Sequence, residues 1–344
     1  MASTGTGRAK PGIEAKLRTD KFKDDFFVLL EEDVNELINP YRASFVSINC
    51  PCCDRRETSE AFVKGQFSFH ACPACDTLFI NPRPTIETLD NFYINSKAIA
   101  LFTRELMKNE KARTTYIFDR RAELVLEFLY SVDRAEGRLV EVGCSIGTFL
   151  EIIKGQSRFS VEGIDPDDAA CRACAAKGIK AHKTTLESFQ PGAVRYDIAL
   201  NFETIEHIFS PFTFLSKINH LLTMGGYLGF TTPNRHGFDM MVLGQSYKNI
   251  HGPCHLNYFN VDTIDRLLER SGFRVVQKLT PGILDVEVVR KQIAAGVAPD
   301  VPPFIKYLAC EADDQQRSNF QDYLSHNRLS GNMLIFAQKV RKAG

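Results

Sequence analysis

The sequence has no charge of one sign to spare: 42 Lys and Arg are balanced by 42 Asp and Glu. Nucleic-acid-binding domains carry a basic excess, so the balance argues against a nucleic-acid partner and leaves only a local patch open. No apolar run is long enough to span a bilayer, so no membrane span is expected. Met1 to Gly12 is small and polar with two basic residues, and no apolar stretch follows it. No secretory leader is read there, and a cytoplasmic protein is expected. Internal repeats are also missing. What remains is 344 residues, 44% hydrophobic and 24% charged. That is the composition of a globular chain with one large, elaborated domain or two.

Ten cysteines are present. In a reducing compartment they are not expected to form disulfides, so their spacing matters more than their number. Cys50-x-x-Cys53 and Cys72-x-x-Cys75 lie 18 residues apart. This is the spacing of a tetrahedral zinc site in which each pair forms a knuckle, with Pro51 and Pro73 stiffening the turns. Four thiolates leave no open coordination position, so the Zn2+ would be structural. Cys52 is an alternative ligand that breaks the two-residue spacing, and His70 reads as a strand residue. Residues 50–80 carry Arg55, Arg56 and Lys64 against Asp54, Glu57, Glu60 and Asp76. That mixture favours a packing or substrate-side role over nucleic-acid binding. Cys171-x-x-Cys174 has no second pair and reads as helix packing.

The pattern along the chain divides it into four parts. Residues 1–45 are a tail and a helix, with Phe22, Phe26, Phe27, Leu30, Val34 and Leu37 at helical spacing until Asn39-Pro40. Residues 46–84 are the cysteine module, and 85–136 are a helical linker or lid. Residues 137–344 alternate short β-type runs with helical patterns. Strands are expected at Leu139–Val142, Ser160–Ile164, Ile179–Ala181, Asp197–Asn201, Tyr227–Thr231, Arg274–Leu279 and Met333–Gln338. Helices are expected from Ser210-Pro211 and from near Asn260 to Gly272. The segment 281–331 looks less regular and reads as an insertion. Such alternation predicts an α/β, Rossmann-like domain with a mostly parallel sheet.

Its first strand runs into Gly143-Cys-Ser-Ile-Gly147. Gly143 makes the tight turn, and Gly147 opens the following helix so that the backbone can approach a ligand closely. Asp165 ends the next strand, 22 residues after Gly143, where an acid accepts hydrogen bonds from ribose hydroxyls. An adenosine-bearing cofactor therefore fits. A dinucleotide fingerprint requires glycines where Ser145 and Thr148 stand, which disfavours a nicotinamide oxidoreductase.

The loop, read as G-x-S-x-G, resembles motif I of class I S-adenosylmethionine (SAM)-dependent methyltransferases. Glu141 matches their acid before the turn, and Ser145 replaces their usual middle glycine. By that resemblance Gly143, Cys144, Ser145 and Gly147 line SAM, Leu186 in Thr185-Leu186-Glu187 contacts adenine, and Asn201 and Phe202 lie beside its methionine part. The Glu206-His207 pair and Thr232-Pro233-Asn234 look like the ubiquinone-type O-methyltransferases. The order of cysteine module, Phe79-Ile-Asn-Pro-Arg-Pro84, SAM domain and Asn327-Arg-Leu-Ser-Gly-Asn-Met333 resembles bacterial class I methyltransferases with an N-terminal zinc ribbon. Such proteins work in polysaccharide or small-molecule biosynthesis. The implied activity is methyl transfer to a small-molecule or sugar acceptor at oxygen, nitrogen or carbon. His207 and His255 are the candidate bases, and Glu206 would orient one of them.

Two alternatives stand beside this. Glu203-x-x-Glu206-His207, expected on one helical face, and a later His255 resemble the site of small-RNA 2′-O-methyltransferases, where a second divalent cation is bound. A non-catalytic SAM or zinc-ribbon adaptor is the other.

Overall fold

The computed structural model describes residue 17 and residues 19–297 and 300–343. Among these the strands, in chain order, are β1 (Ser59–Lys64), β2 (Phe67–Ala71), β3 (Leu78–Ile80), β4 (Glu136–Val142), β5 (Arg158–Asp165), β6 (Lys180–Lys183), β7 (Tyr196–Phe202), β8 (Leu222–Pro233), β9 (Asn257–Tyr258), β10 (Phe273–Leu279) and β11 (Asn332–Lys339). The chain forms two compact units that are not contiguous in sequence. The first gathers the described parts of Met1–Ala98, Thr232–Ile264 and Lys278–Leu334. The second gathers those of Ile99–Thr231, Asp265–Gln277 and Ile335–Gly344.

The second unit is built on a seven-stranded sheet in the order β10-β11-β8-β7-β4-β5-β6. β4 pairs in parallel with β5 on one side and β7 on the other, and the parallel run continues to β6 and β8. Every strand expected from the sequence is present, most of them longer at one or both ends. The central ones were legible because strands covered on both faces read as continuous apolar runs, whereas β6 and β10 are partly exposed. Leu139, Val140 and Val142 of β4 and Ile198, Ala199 and Leu200 of β7 are all buried. After β4 the chain moves outward through β5 and β6, then returns to start β7 on the other flank. That reversal makes the carboxyl ends of β4 and β7 the switch point where ligands bind in such sheets. Ser210 caps the helix Pro211–Leu221 by accepting from the Thr213 N–H, as expected.

The first unit holds a four-stranded sheet, β1-β2-β3-β9, which no pattern in the sequence announces. β3 and β9 have three and two residues, too few for an alternating pattern to be visible. The helix Asp20–Asp33 buries Phe22, Phe26 and Leu30 and runs on through a wide turn to Ile38.

Two expectations are corrected by the structure. The segment 281–331 is not irregular: it contains the helices Asp285–Ala294 and Asp314–His326, the latter closed by an Asp313–Gln316 capping box. Val286, Val289, Ala309 and Leu324 form a core there with Phe238 and Leu243. Prolines 302 and 303 interrupt its periodicity in the sequence. The helix expected from Asn260 begins at Asp265 instead. The Asn260 side chain first closes a turn, its Oδ1 accepting the N–H groups of Asp262 and Thr263.

Phe336 on β11 stacks on Phe128 at 4.0 Å between ring centroids, within 7° of parallel. Phe336 is 1% exposed. Phe336→Ala should lower unfolding free energy by about 3–5 kcal/mol, read from urea denaturation; a loss under about 1 kcal/mol would mean that the neighbouring side chains refill the space.

Candidate functional site

The chain leaves β4 through three left-handed residues: Gly143 (φ +76°), Ser145 (φ +48°) and Gly147 (φ +72°). The turn is closed by the Gly143 N–H donating to the Ile164 carbonyl at 2.8 Å. Their positive φ favours glycine at both positions, and a side chain at Gly147 would also lie 2.7 Å from Cys174 Sγ. Gly147 then caps the helix Thr148–Gln156. Asp165 Oδ2 accepts the Ser145 N–H at 2.8 Å, and Oδ1 accepts the Asp167 N–H at 2.9 Å. Each carboxylate oxygen keeps a second lone pair for a ligand hydroxyl. Burial raises the Asp165 pKa above the usual carboxylate range, opposed by those two N–H groups. Cys144 turns its sulfur against Gly163, where there is no room for a side chain, so it offers the site its backbone. The Cys144 and Cys174 thiols both donate to the Ser145 carbonyl, at 3.7 and 3.3 Å, and their mutual influence pushes Cys144 up and Cys174 down. Cys174 thus packs under the loop, more than simple helix packing.

Asn201, at the end of β7, is fully buried, and both atoms of its amide are without a hydrogen bond among the described residues. A buried polar group in that state calls for a partner from outside the chain. Phe202 follows, packed on Phe149 at 4.7 Å between centroids. The Arg121 guanidinium lies 4.4 Å from the centre of the Phe202 ring. Arg121 is also 3.9 Å from Glu203 and feels the charges of Glu141 and Glu206. Burial pulls Arg121 down, while these three carboxylates hold it charged. Burial likewise pushes Glu141 well above the usual carboxylate range, opposed by Arg121. Nothing in the sequence singles out Arg121: it is one basic residue in an amphipathic helix, Asp119–Ser131, next to Arg120. Glu110 was missed for the same reason. It accepts from Thr148 Oγ1 at 2.5 Å and pairs with Lys177 at 2.6 Å, tying the segment ahead of β4 to the start of the loop helix.

Glu203, Glu206 and His207 do not share a helical face. Glu203 is left-handed at φ +50°, and only Ile205–His207 form a single 3-10 turn. The Glu203 carboxylate faces a guanidinium, which takes it from the proposed cation set. His207 Nε2 lies 3.9 Å from Glu206 Oε1, and Glu206 is buried. Leu186 is buried in the turn after β6. The second unit thus brings together Glu141, Gly143, Cys144, Ser145, Gly147, Asp165, Asn201 and Phe202 around the carboxyl ends of β4, β5 and β7. His255 belongs to the first unit, where its ring stacks on His251 at 4.8 Å and lies 5.9 Å from Tyr258.

The first unit also gathers Cys50, Cys53, Cys72 and Cys75, whose sulfurs all lie within 4.8 Å of one another. Cys50–Cys75 and Cys53–Cys72 are 3.5 Å apart. Tetrahedral zinc–thiolate bonds of about 2.3 Å require sulfur separations of about 3.8 Å, so the set fits zinc. The two knuckles repeat one geometry. Cys50 and Cys72 donate their N–H to residues five ahead, Arg55 and Thr77, and accept at their carbonyls from Asp54 and Asp76. Both aspartates are left-handed, at φ +65° and +50°. Cys52 lies outside the set, its thiol on the Thr263 carbonyl at 3.5 Å. His70 lies on β2, as expected.

A parallel sheet with a glycine turn at its switch point and an acid closing the next strand defines a Rossmann-like class I methyltransferase fold. Residues 110–278 match the family described as "Methyltransferase domain". A ubiquinone biosynthesis O-methyltransferase of Cereibacter sphaeroides is 31% identical over 120 residues, covering 32% of this chain and 47% of that protein. A probable S-adenosylmethionine-dependent methyltransferase of Mycolicibacterium smegmatis is 31% identical over 172 residues, covering 49% and 63%. The chain therefore spans about half to under two thirds of the length of these curated relatives. Among solved structures, the plantazolicin methyltransferase BpumL in complex with SAH aligns with a TM-score of 0.46 at 16% identity, covering 74% of this chain and 94% of that one. No helix among the described residues is long and apolar enough to cross a membrane.

Left-handed Ser145 costs about 1–2 kcal/mol relative to glycine, offset in part by glycine's greater freedom when unfolded. Ser145→Gly should hold or raise the melting temperature, and a clear drop would show that the hydroxyl carries a contact. Glu141 sets a pH dependence. Its folded pKa is raised, so the native state binds the extra proton, and stability falls as pH climbs from about 4.5 through the raised value. Glu141→Gln should be more stable than the parent at neutral pH, with the difference closing below about pH 4.5. An equal gap at both ends in urea titrations would refute the assignment.

Proposed function

We propose that the chain binds SAM at the carboxyl ends of β4, β5 and β7 and transfers its methyl group to a small-molecule or sugar acceptor. The carrying observation is the convergence of the left-handed Gly143–Gly147 turn, Asp165 with a lone pair to spare on each oxygen, and the buried Asn201 amide without a partner. The bound cofactor supplies a methyl group already activated on sulfonium. The chain itself has to hold and orient. Asp165 accepts from the ribose hydroxyls, and the amide of Asn201 and the face of Phe202 meet the methionine portion. Arg121, over Phe202, is suited to the amino-acid carboxylate, while Glu141 and Glu206 suit its cationic groups. Leu186 would pack on adenine.

His207 is the base proposed for an acceptor hydroxyl, with Glu206 positioned to steady its imidazolium. His255 of the first unit is the second candidate. The ubiquinone-biosynthesis names of the relatives favour a small molecule over an RNA acceptor. Cys50, Cys53, Cys72 and Cys75 would hold one structural Zn2+, and the four-sulfur set leaves no coordination position for substrate.

Asp165→Ala should weaken SAM binding by at least about 100-fold, since two hydrogen bonds to one charged acceptor are lost; affinity within about threefold of the parent, well under that loss, would move the cofactor elsewhere. Turnover is tested by following S-adenosylhomocysteine release across hydroxylated and amine acceptors. Binding with no release on any of them would favour the adaptor. Cys50→Ser should release zinc, whereas Cys52→Ser should retain it, measured by elemental analysis. The opposite pattern would put Cys52 in the ligand set.

A further inference from the structure

Glu110, Thr148 and Lys177 form a closed triangle in the second unit. Glu110 Oε1 accepts from Thr148 Oγ1 at 2.5 Å and from Lys177 Nζ at 2.6 Å, and Lys177 Nζ also donates to Thr148 Oγ1 at 3.3 Å. Lys177 reaches Glu151, one turn further along the helix Thr148–Gln156, at 3.2 Å. Thr148 is the first residue of that helix, and Gly147 before it supplies no side chain to cap it. A carboxylate beside a helix N-terminus and a cation at a helix C-terminus are both favoured by the helix dipole. Glu110 meets the first condition, and Lys177, which ends the helix Asp168–Ala176, meets the second. Burial opposes ionisation of Glu110, yet Lys177 and Thr148 outweigh it and hold the carboxyl below its usual range. Burial likewise works against the Lys177 charge, and Glu110 and Glu151 outweigh it.

The two helices so joined frame the turn after β4. The first starts where Gly147 ends the turn, and the Glu151 N–H closes onto the Gly147 carbonyl at 2.9 Å. The second carries Cys174, which lies against Gly147 and donates to the Ser145 carbonyl. Glu110 reaches this frame from a different part of the chain. Residues 99–118 include Leu101, Phe102, Leu106, Ile117 and Phe118, yet none of residues 99–118 is buried. A segment with so little buried apolar surface has low local stability, so a polar anchor weighs heavily on where it sits. We propose that Glu110 is a positioning residue for the cofactor: through Thr148 and Lys177 it holds the first turn of the loop helix, and with it the Gly143–Gly147 turn, in the form that receives SAM. This rests on the reading of that turn as the SAM site, and it adds to the site a residue that does not line the cofactor.

SAM affinity is measured by calorimetry on the full chain, and the stability of the ligand-free protein by its urea midpoint. Glu110→Ala should weaken SAM binding at least about fivefold, the lower end of the usual coupling between sites. Its urea midpoint should stay close to the parent's, since a partly exposed ion pair adds little stability. Thr148→Val keeps the branched shape but removes the hydroxyl, and should lose affinity in the same way. Thr148→Ser keeps the hydroxyl and should bind SAM as the parent does. The double variant Glu110→Ala/Thr148→Val should lose no more than the greater single loss, because both changes remove one shared interaction. Additive losses, or a urea midpoint that falls together with the affinity, would mean general loosening and overturn the positioning role. If Glu110→Ala is recovered unfolded, Thr148 decides: a loss in Thr148→Val recovered in Thr148→Ser supports the proposal, and equal affinity in the two contradicts it. A parent protein that does not bind SAM overturns the cofactor reading and the proposal with it. SAM binding by the parent with a change of less than about fivefold in Glu110→Ala overturns the positioning role alone.

Discussion

The Asp165 carboxylate fixes the carboxyl end of β5 against the turn after β4. One oxygen takes the Ser145 N–H from the turn after β4, and the other takes the Asp167 N–H at the start of the next helix. Two loops that leave neighbouring parallel strands are thereby locked in one relation by a single buried anion. Without it the left-handed turn at Ser145 would lack a partner for its N–H, and an unpaired buried donor is costly. The glycines on either side take left-handed backbones, and Cys174 lies against Gly147. The geometry that keeps the loop open to a ligand is thus maintained from beneath, by contacts a ligand would not disturb.

Charge is arranged around that frame. Glu141, Glu203 and Glu206 all act on one guanidinium, and burial works against Glu141 being ionised without it. A ligand bearing positive sulfur, an ammonium and a carboxylate has a complementary pattern. In the first unit, two knuckles of one geometry converge so that four cysteine sulfurs lie within 4.8 Å of one another.

Much of this was legible in the sequence. The central strands of the large sheet announced themselves because buried parallel strands are plain apolar runs, as in β4 and β7. Gly143, Gly147, Asp165 and the four cysteines stood out because turn geometry and knuckle spacing depend on residue type, and the structure places them in one turn and one sulfur cluster. Arg121 and Glu110 did not. Each is a common charged residue whose importance comes from its placement beside groups far away in the chain, and no local pattern records that. The small sheet, apart from the strand carrying His70, escaped because β3 and β9 are too short to show a period. The helical face expected for Glu203, Glu206 and His207 failed because Glu203 takes a left-handed backbone and breaks the helix before it starts.

The most direct measurement is a calorimetric titration of the parent protein with SAM and, separately, with NAD. Micromolar SAM binding and no NAD binding are expected, because the turn reads G-x-S-x-G and lacks the glycines a pyrophosphate needs. No heat with SAM, or comparable binding of NAD, would contradict this and would mean that Ser145 marks a turn no longer serving this cofactor.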